Sequence, residues 1–333
     1  PYRRQRQMCI RDSLWTYSDS CNMKHEGCCA ESAVEDARRV CDKLGIDFYV
    51  MNFKDMFKDK VVDYFVDEYI HGRTPNPCIA CNKYLKFDAL LKKALAMGID
   101  YVATGHYAKI EKGEDGKYIL RASEAVKKDQ SYVLYNFTQE QLAHTLMPLG
   151  GYNKDWVRQK AEELGLGVAH KPDSQEICFV EDDDYAKFIT DYSGYKPKEG
   201  DILDVNGNVI GKHRGLIYYT IGQRKGIGAY GRPMFVMKID AENNTITLGE
   251  KGMEFSNELT AYDVNFVSGE FPKENMLITA KVRYQAPPAA AMLCPQKDGT
   301  VKLMFPEPQR AVTPGQAVVF YDGDIVLGGG TVL

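Results

Sequence analysis

The chain has 333 residues, with 42 Lys and Arg against 46 Asp and Glu, for a formal net charge of −4. Hydrophobic residues at 44% and charged residues at 26% suit a folded chain of two or three domains and exclude a disordered, collagen-like or coiled-coil protein. No apolar run reaches the ~20 residues of a membrane span, so no membrane partner is expected. Bulk charge gives no reason to expect nucleic acid, and RNA contact would have to rest on local basic patches.

In chain order, residues 1–13 are basic and lack the apolar stretch of a secretory signal. The nine cysteines show no disulfide-framework spacing. A reducing, cytoplasmic setting is therefore expected, which makes clustered cysteines candidates for catalysis or metal binding. Ala33, Val34, Ala37, Val40, Cys41 and Leu44 fall at helical spacing and end at Gly45, a C-cap residue. A short buried strand follows over 46–51, then a helix over 55–70 stopped by Gly72 and Pro75, a helix over 82–97, and a strand over 99–104. Further helices are predicted over 138–146 (Thr138 with Gln141 forms a capping box), 154–164 and 183–192. Strands alternating with helices argue for a parallel sheet covered by helices. Beyond Lys196-Pro197-Lys198 the pattern changes to β-hairpins around Asn206-Gly207-Asn208, Glu242-Asn243-Asn244, Lys297-Asp298-Gly299 and Asp322-Gly323-Asp324. They read as two small β units that break near 255–265.

The string Gly72-Arg73-Thr74-Pro75-Asn76-Pro77-Cys78-Ile79-Ala80-Cys81-Asn82 carries the strongest chemical signal. With a helix starting at Asn82, Cys81 would sit at a helix N-terminus, where unpaired amides favour a thiolate. Structural zinc would require a second pair of ligands, and there is no other C-x-x-C. An iron–sulfur ligand stays open. Cys178, in Ile177-Cys178-Phe179-Val180, reads equally as a reactive thiol or as an inert one in a buried strand. Thr104-Gly105-His106-Tyr107 closes a parallel strand, where ligands bind; His106 is either a ligand contact or a structural residue. Lys127-Lys128-Asp129-Gln130-Ser131-Tyr132 is either a solvated cap or a binding segment. Basic residues beside aromatics at Lys212-His213-Arg214, Arg224-Lys225 and Lys281-Val282-Arg283-Tyr284 suit phosphate contacts and base stacking, each weakly.

Taken together, these strings resemble the MnmA family of tRNA-specific 2-thiouridylases. The resemblance rests on 72–82, 103–107, 128–132 and 173–179, on Tyr219-Thr220-Ile221-Gly222-Gln223-Arg224 and on Ala311-Val312-Thr313-Pro314-Gly315-Gln316, in order from about Leu14 to Leu333. It implies an α/β ATP-pyrophosphatase-type domain, adenine-nucleotide alpha-hydrolase-like, with tRNA-binding helices over 14–198. A small central β domain over 199–260 and a C-terminal β-barrel over 261–333 would follow. The implied reaction is ATP-dependent 2-thiolation of the wobble uridine of tRNA. ATP with Mg2+ adenylates the uracil C2 oxygen, and sulfur arrives as a persulfide from a cysteine desulfurase or a relay protein. By the same resemblance Cys178 carries the persulfide, Cys81 is the partner nucleophile and the two can close as a disulfide. Asn76, Pro77 and Cys78 would face the target base, and Gly105 and Leu14 the nucleotide. His106, Lys128, Asp129, Gln130, Arg283, Tyr284 and Gln316 would contact tRNA. A competing form of this chemistry has Cys78, Cys81 and Cys178 hold an iron–sulfur cluster. A monomer is expected.

One departure stands out. The family opens with a strand, a Ser-Gly-Gly-x-Asp-Ser phosphate loop and a helix, and no Gly-Gly-x-Asp string precedes Leu14. Residues 1–13 are therefore expected to be a foreign segment joined to a truncated chain, with the first strand and phosphate loop missing and adenylation lost. The alternative function is thus a catalytically inactive tRNA-binding remnant. A redox or metal-binding C-x-x-C protein is a third class, but it leaves the β domains unexplained.

Overall fold

The computed structural model describes residues 8–13, 31–125, 128–170, 177–180 and 183–333. Strand β1 (Met8–Ser13) pairs in parallel with β2 (Asp47–Asn52), Met8 opposite Asp47 and Ser13 opposite Asn52. The sequence reading expected no strand in this opening stretch. Between the two lies helix α1 (Glu31–Leu44), which ends at Gly45 with φ +67°. Helix α2 (54–70) changes from α to a π-helical stretch over Lys58–Asp63 and back. It buries Phe57, Val61, Val62, Phe65, Val66 and Tyr69. Helix α3 (77–96) is likewise π-helical over Cys81–Ala89. The strand expected over 99–104 is only β3 (Val102–Ala103), paired in parallel with β6 (Thr145–Leu146).

Strands β4 (Ala108–Lys112) and β5 (Tyr118–Ala122) form a hairpin. Helix α4 (Gln139–Ala143) starts in the expected capping box, with Gln141 N donating to Thr138 Oγ1 at 3.2 Å and Thr138 N to Gln141 Oε1 at 3.0 Å. Helices α5 (Lys154–Glu163) and α6 (Tyr185–Ser193) complete this unit. Among the described residues no helix is long and apolar enough to cross a membrane.

The middle unit is a four-stranded sheet in the order β8-β7-β10-β9. Its strands are β7 (Gly200–Leu203), β8 (Val209–His213), β9 (Met234–Asp240) and β10 (Thr245–Glu250). The last six strands are β11 (Phe255–Phe266), β12 (Met276–Lys281), β13 (Ala289–Pro295), β14 (Val301–Arg310), β15 (Ala317–Asp322) and β16 (Ile325–Val332). They run in the order β11-β14-β13-β12-β15-β16, and β16 pairs back onto β11, so the barrel is closed. The run Gly328-Gly329-Gly330 lies at this seam, and a Cβ on Gly329 would stand 2.7 Å from the Tyr135 ring.

The barrel is not a separate appendage. The β4–β5 hairpin extends its sheet through Ile325 opposite Arg121, and Ala122 N donates to Asp324 O at 2.8 Å. One apolar core contains Leu120, Tyr132, Leu134, Tyr135, Phe137 and Leu142 together with Ala317, Val319, Tyr321 and Val326 of the barrel. Inside it the Tyr132 hydroxyl donates to Ala317 O at 2.6 Å, and Asn265 Nδ2 donates to Tyr135 O at 2.7 Å.

Arg283 joins the barrel to the middle unit. Its Nη2 donates to Ile221 O at 3.1 Å, Ala311 O at 2.7 Å and Thr313 Oγ1. Removing this charged donor strips Ile221 O and Thr313 Oγ1 of a bond, while Ala311 O keeps the one it accepts from Thr313 Oγ1 at 2.8 Å. Arg283→Met is therefore expected to lower the unfolding free energy by about 2–4 kcal/mol, read from urea melts; a change within experimental error would show that the junction is not a stabilising element.

Candidate active site

The thiol loop starts where α2 ends. Arg73 doubles back on Glu68: its backbone N donates to Glu68 O at 2.8 Å, its Nε to Glu68 Oε2 at 2.8 Å and its Nη2 to Oε1. Glu68 is 5% exposed, so this is a buried carboxylate satisfied by a bidentate guanidinium. The next residue, Thr74, meets the barrel. Its N–H donates to Pro314 O at 2.9 Å, and its C=O accepts from Gln316 Nε2 at 2.9 Å.

Helix α3 begins at Pro77, five residues before the expected start. Asn76 is its N-cap, with Oδ1 accepting from Cys78 N at 3.1 Å and Ile79 N at 3.4 Å, and proline occupies the first helical position, where its missing N–H costs nothing. This corrects the placement of Cys81. Its own N–H donates to Cys78 O and Pro77 O, inside the helix, and the anion-favouring end belongs to Cys78 instead. Cys78 is exposed, whereas Cys81 is 8% exposed.

Cys81 lies in a core cluster with Phe57, Val61, Phe65, Leu85 and Phe179, and Cys178 packs against the same cluster. Cys178 sits in a turn closed by Val180 N donating to Ile177 O at 3.0 Å, so the buried-strand reading does not hold. Phe179 anchors that turn, edge-on to Phe65 at 5.3 Å and to Phe57 at 5.8 Å. Leu14 and residues 173–176 lie outside the described residues.

The residues carried over as tRNA contacts divide into two groups. Lys128 is exposed, and Asp129, Gln130 and Tyr284 are partly so. Gln130 Oε1 accepts from Tyr107 N at 3.0 Å, and the Tyr284 hydroxyl donates to Asp129 O at 3.1 Å. Asp129 itself accepts from Ser123 N, Ser131 N and Ser131 Oγ. Lys281 Nζ stands 5.9 Å from the ring centres of both Tyr132 and Tyr284. Burial raises the Tyr284 phenol, with Asp129 adding to the effect and Lys128 opposing it. The other three are engaged with protein partners, His106 buried and Arg283 and Gln316 half-buried. Arg283 Nη2 serves the junction described above, Gln316 holds Thr74, and His106 is buried against Phe87, with Nδ1 2.9 Å from Thr104 Oγ1. Gly105 is exposed beside β3.

Sequence reasoning missed two features. The buried Glu68 and the half-exposed Arg73 tie the loop to α2, and an acid five residues before an arginine gave no signal of it. Trp156 of α5, a helix that buries none of its side chains, stacks at 3.9 Å with planes 12° apart on Tyr152, which lies just before the helix, and Lys160 Nζ lies 5.9 Å from the Trp156 ring centre. Burial, with smaller effects of Lys128 and Arg158, lowers the Lys154 ammonium. The i, i+4 spacing of 152, 156 and 160, without an apolar stripe, was the available signal.

An iron–sulfur cluster needs several thiolates converging on one point. Among the described residues, which include Cys78, Cys81 and Cys178, no group of three or more His, Cys, Asp or Glu is so placed. A cavity of about 350 Å³ lies behind the loop, lined by Asn76, Lys83, Tyr64, Tyr84 and Tyr262 among others, but by none of the three cysteines.

Burial pushes the His106 imidazole down to about 3 from 6.5, with Lys86 adding to the effect. In that window the unfolded chain binds a proton that the folded chain does not. Stability therefore falls as pH drops below 6.5, by up to ~1.4 kcal/mol per pH unit from this group. His106→Gln is expected to flatten that part of the profile in urea melts taken at successive pH values.

Three family models match the chain: the tRNA methyl transferase HUP domain over residues 4–182, the tRNA methyl transferase PRC-barrel domain over 186–250 and the aminomethyltransferase beta-barrel domain over 256–332. Residues 4–13 of the stretch expected to be foreign fall inside the first match. The tRNA-specific 2-thiouridylase MnmA of Acetivibrio thermocellus is 57% identical over 322 residues, covering 96% of this chain and 90% of that protein. Its namesakes in Clostridioides difficile strain 630 and Clostridium beijerinckii are 56% and 54% identical, each over 96% of this chain and 89% of their own length. With three domains matched in order and more than half of the residues identical, the chain belongs to the MnmA family of tRNA-specific 2-thiouridylases, enzymes of the tRNA sulfurtransferase class.

Proposed function

We propose that this chain thiolates the C2 position of the wobble uridine in tRNA, using ATP, with Cys178 as sulfur carrier and Cys81 as resolving nucleophile. The observation that carries this reading is the aromatic cluster around Phe57, Phe65 and Phe179, which holds Cys81 within it and Cys178 at its edge. A uracil oxygen is a poor leaving group, so ATP first adenylates it and releases pyrophosphate. The terminal sulfur of a Cys178 persulfide attacks C2 and AMP departs. The Cys81 thiolate then attacks the Cys178 sulfur, which frees 2-thiouridine and leaves a Cys81–Cys178 disulfide that an external thiol must reduce. The persulfide itself comes from a protein sulfur donor. The nucleotide reading rests on Gly105 here, since the stretch 14–30 lies outside the described residues.

Asn76, Pro77 and Cys78 form the start of α3, with Cys78 exposed and Asn76 partly so where an unstacked base would approach. Lys128, Asp129, Gln130 and Tyr284 form the adjoining RNA-facing strip. The stacked Tyr152 and Trp156, with Lys154, Arg158 and Lys160, extend it with rings for bases and cations for phosphates. His106, Arg283 and Gln316 serve this reading through their protein partners.

Cys81→Ser and Cys178→Ser are each expected to abolish 2-thiouridine formation while tRNA affinity changes by less than about twofold; lost affinity would instead make the thiols structural. Pyrophosphate release on adding cognate tRNA tests adenylation directly, and tRNA binding without it would favour the inactive binding remnant. Trp156→Ala is expected to weaken tRNA binding by about tenfold, the order of one lost base–aromatic stack, measured by filter binding at fixed salt.

A further inference from the structure

The corner between β14 and β15 does more than close the barrel. Both polar groups of the Thr74 peptide are held by it, the N–H by Pro314 O and the C=O by Gln316 Nε2, each at 2.9 Å. Gly315 stands between these two contacts with φ +87°, and a Cβ there would lie 3.0 Å from Arg73 Cβ and from Thr74 N. The corner is itself fixed. Gly315 N donates to Val332 O at 2.9 Å, Gln316 N to Thr313 O at 3.1 Å, and Arg283 grips Ala311 and Thr313.

From Thr74 to Cys78 the chain has little freedom. Pro75 and Pro77 fix their own φ, each restricts the residue before it, and the Asn76 side chain caps the helix that carries both thiols. On the other side of Thr74, Arg73 is tied to the buried Glu68. Fixing the two peptide planes that flank Thr74 therefore sets the direction in which α3 leaves the loop.

We propose that the Pro314-Gly315-Gln316 corner, with the Glu68–Arg73 pair, is a positioning clamp: Gln316 and Gly315 act through Thr74 to hold Cys78 exposed and Cys81 covered, separately from any contact Gln316 makes with RNA. The clamp rests on the proposed thiol chemistry only for its purpose; its effect on the two sulfurs can be measured without RNA or ATP.

The test uses the full chain, with iodoacetamide as the probe and mass spectrometry of the tryptic peptide 74–83, which contains both thiols. In the unmodified protein Cys78 is expected to react well ahead of Cys81. Gln316→Met removes the donor without adding charge, and Gly315→Ala forces the corner apart. Each is expected to speed Cys81 alkylation by about tenfold, while amide exchange in β15 stays slow. In thiolation assays kcat should fall with little change in KM for tRNA. If both variants keep the wild-type alkylation ratio and Gln316→Met only raises KM, Gln316 is an RNA contact and the clamp is refuted. Should either variant also open β15, Arg73→Lys supplies the reading, since it loosens the loop from the opposite side. A wild-type alkylation ratio there would equally refute the clamp. A changed ratio in variants of a protein that shows no thiolation at all would retain the clamp and reject the proposed function.

Discussion

The short stretch from Gly72 to Asn76, which leads into the helix carrying two of the cysteines, is held chiefly by contacts from distant parts of the chain. The dominant contribution is the apolar seam between the first unit and the barrel, where Tyr132, Leu134, Tyr135 and Phe137 share a core with Ala317, Val319 and Tyr321. Fully burying such side chains is worth roughly 1.5–3 kcal/mol each. That seam brings β15 against the end of α2, so the barrel corner can reach Thr74. The hydrogen bonds at Thr74 are individually modest, about 1 kcal/mol net each, and they act only because the seam has already placed donor and acceptor.

Around Cys81 the helices depart from regular α geometry. The π-helical stretches Lys58–Asp63 and Cys81–Ala89 contribute Val61, Val62 and Leu85 to one cluster with Phe179. Wide turns of this kind recur at functional sites, because an added residue per turn re-aims the side chains that follow. Here Cys81 occupies the junction between a four-residue α turn and the wider stretch. The thiol is thereby directed at the aromatic cluster that Cys178 borders, while Cys78, one turn earlier, stays in solvent.

Much of the architecture could be read from local chemistry. The Thr138–Gln141 capping box, the Asx-Gly turns of the β units and the apolar spacing of 55–70 all signal structure that nearby residues determine. The start of α3 had a legible signal too: Asn76-Pro77 is an N-cap followed by a favoured first-position proline, five residues before the start expected at Asn82. The β4–β5 hairpin has an Asp115-Gly116 turn of the same type as those recognised later in the chain, and it went unnoticed among helices. Other features had no local signature. That Arg283 faces inward depends on carbonyls of Ile221 and Ala311 brought to it by tertiary folding, and a basic-aromatic string looks the same whether it meets phosphate or protein. His106 was balanced between two roles in the sequence because burial, which decides its charge, is a property of the packed α3 and of Phe87 and Phe137.

The bonds to Thr74 have a temporal side. They come from Pro314 and Gln316, some 240 positions later, and the corner that offers them is steadied by Val332, next to the final residue. A ribosome delivers all three cysteines of the thiol chemistry long before it delivers those partners. A nascent chain therefore has its sulfurs before their arrangement, and termination ahead of Pro314 would release every thiol of the proposed reaction without the corner that holds Thr74.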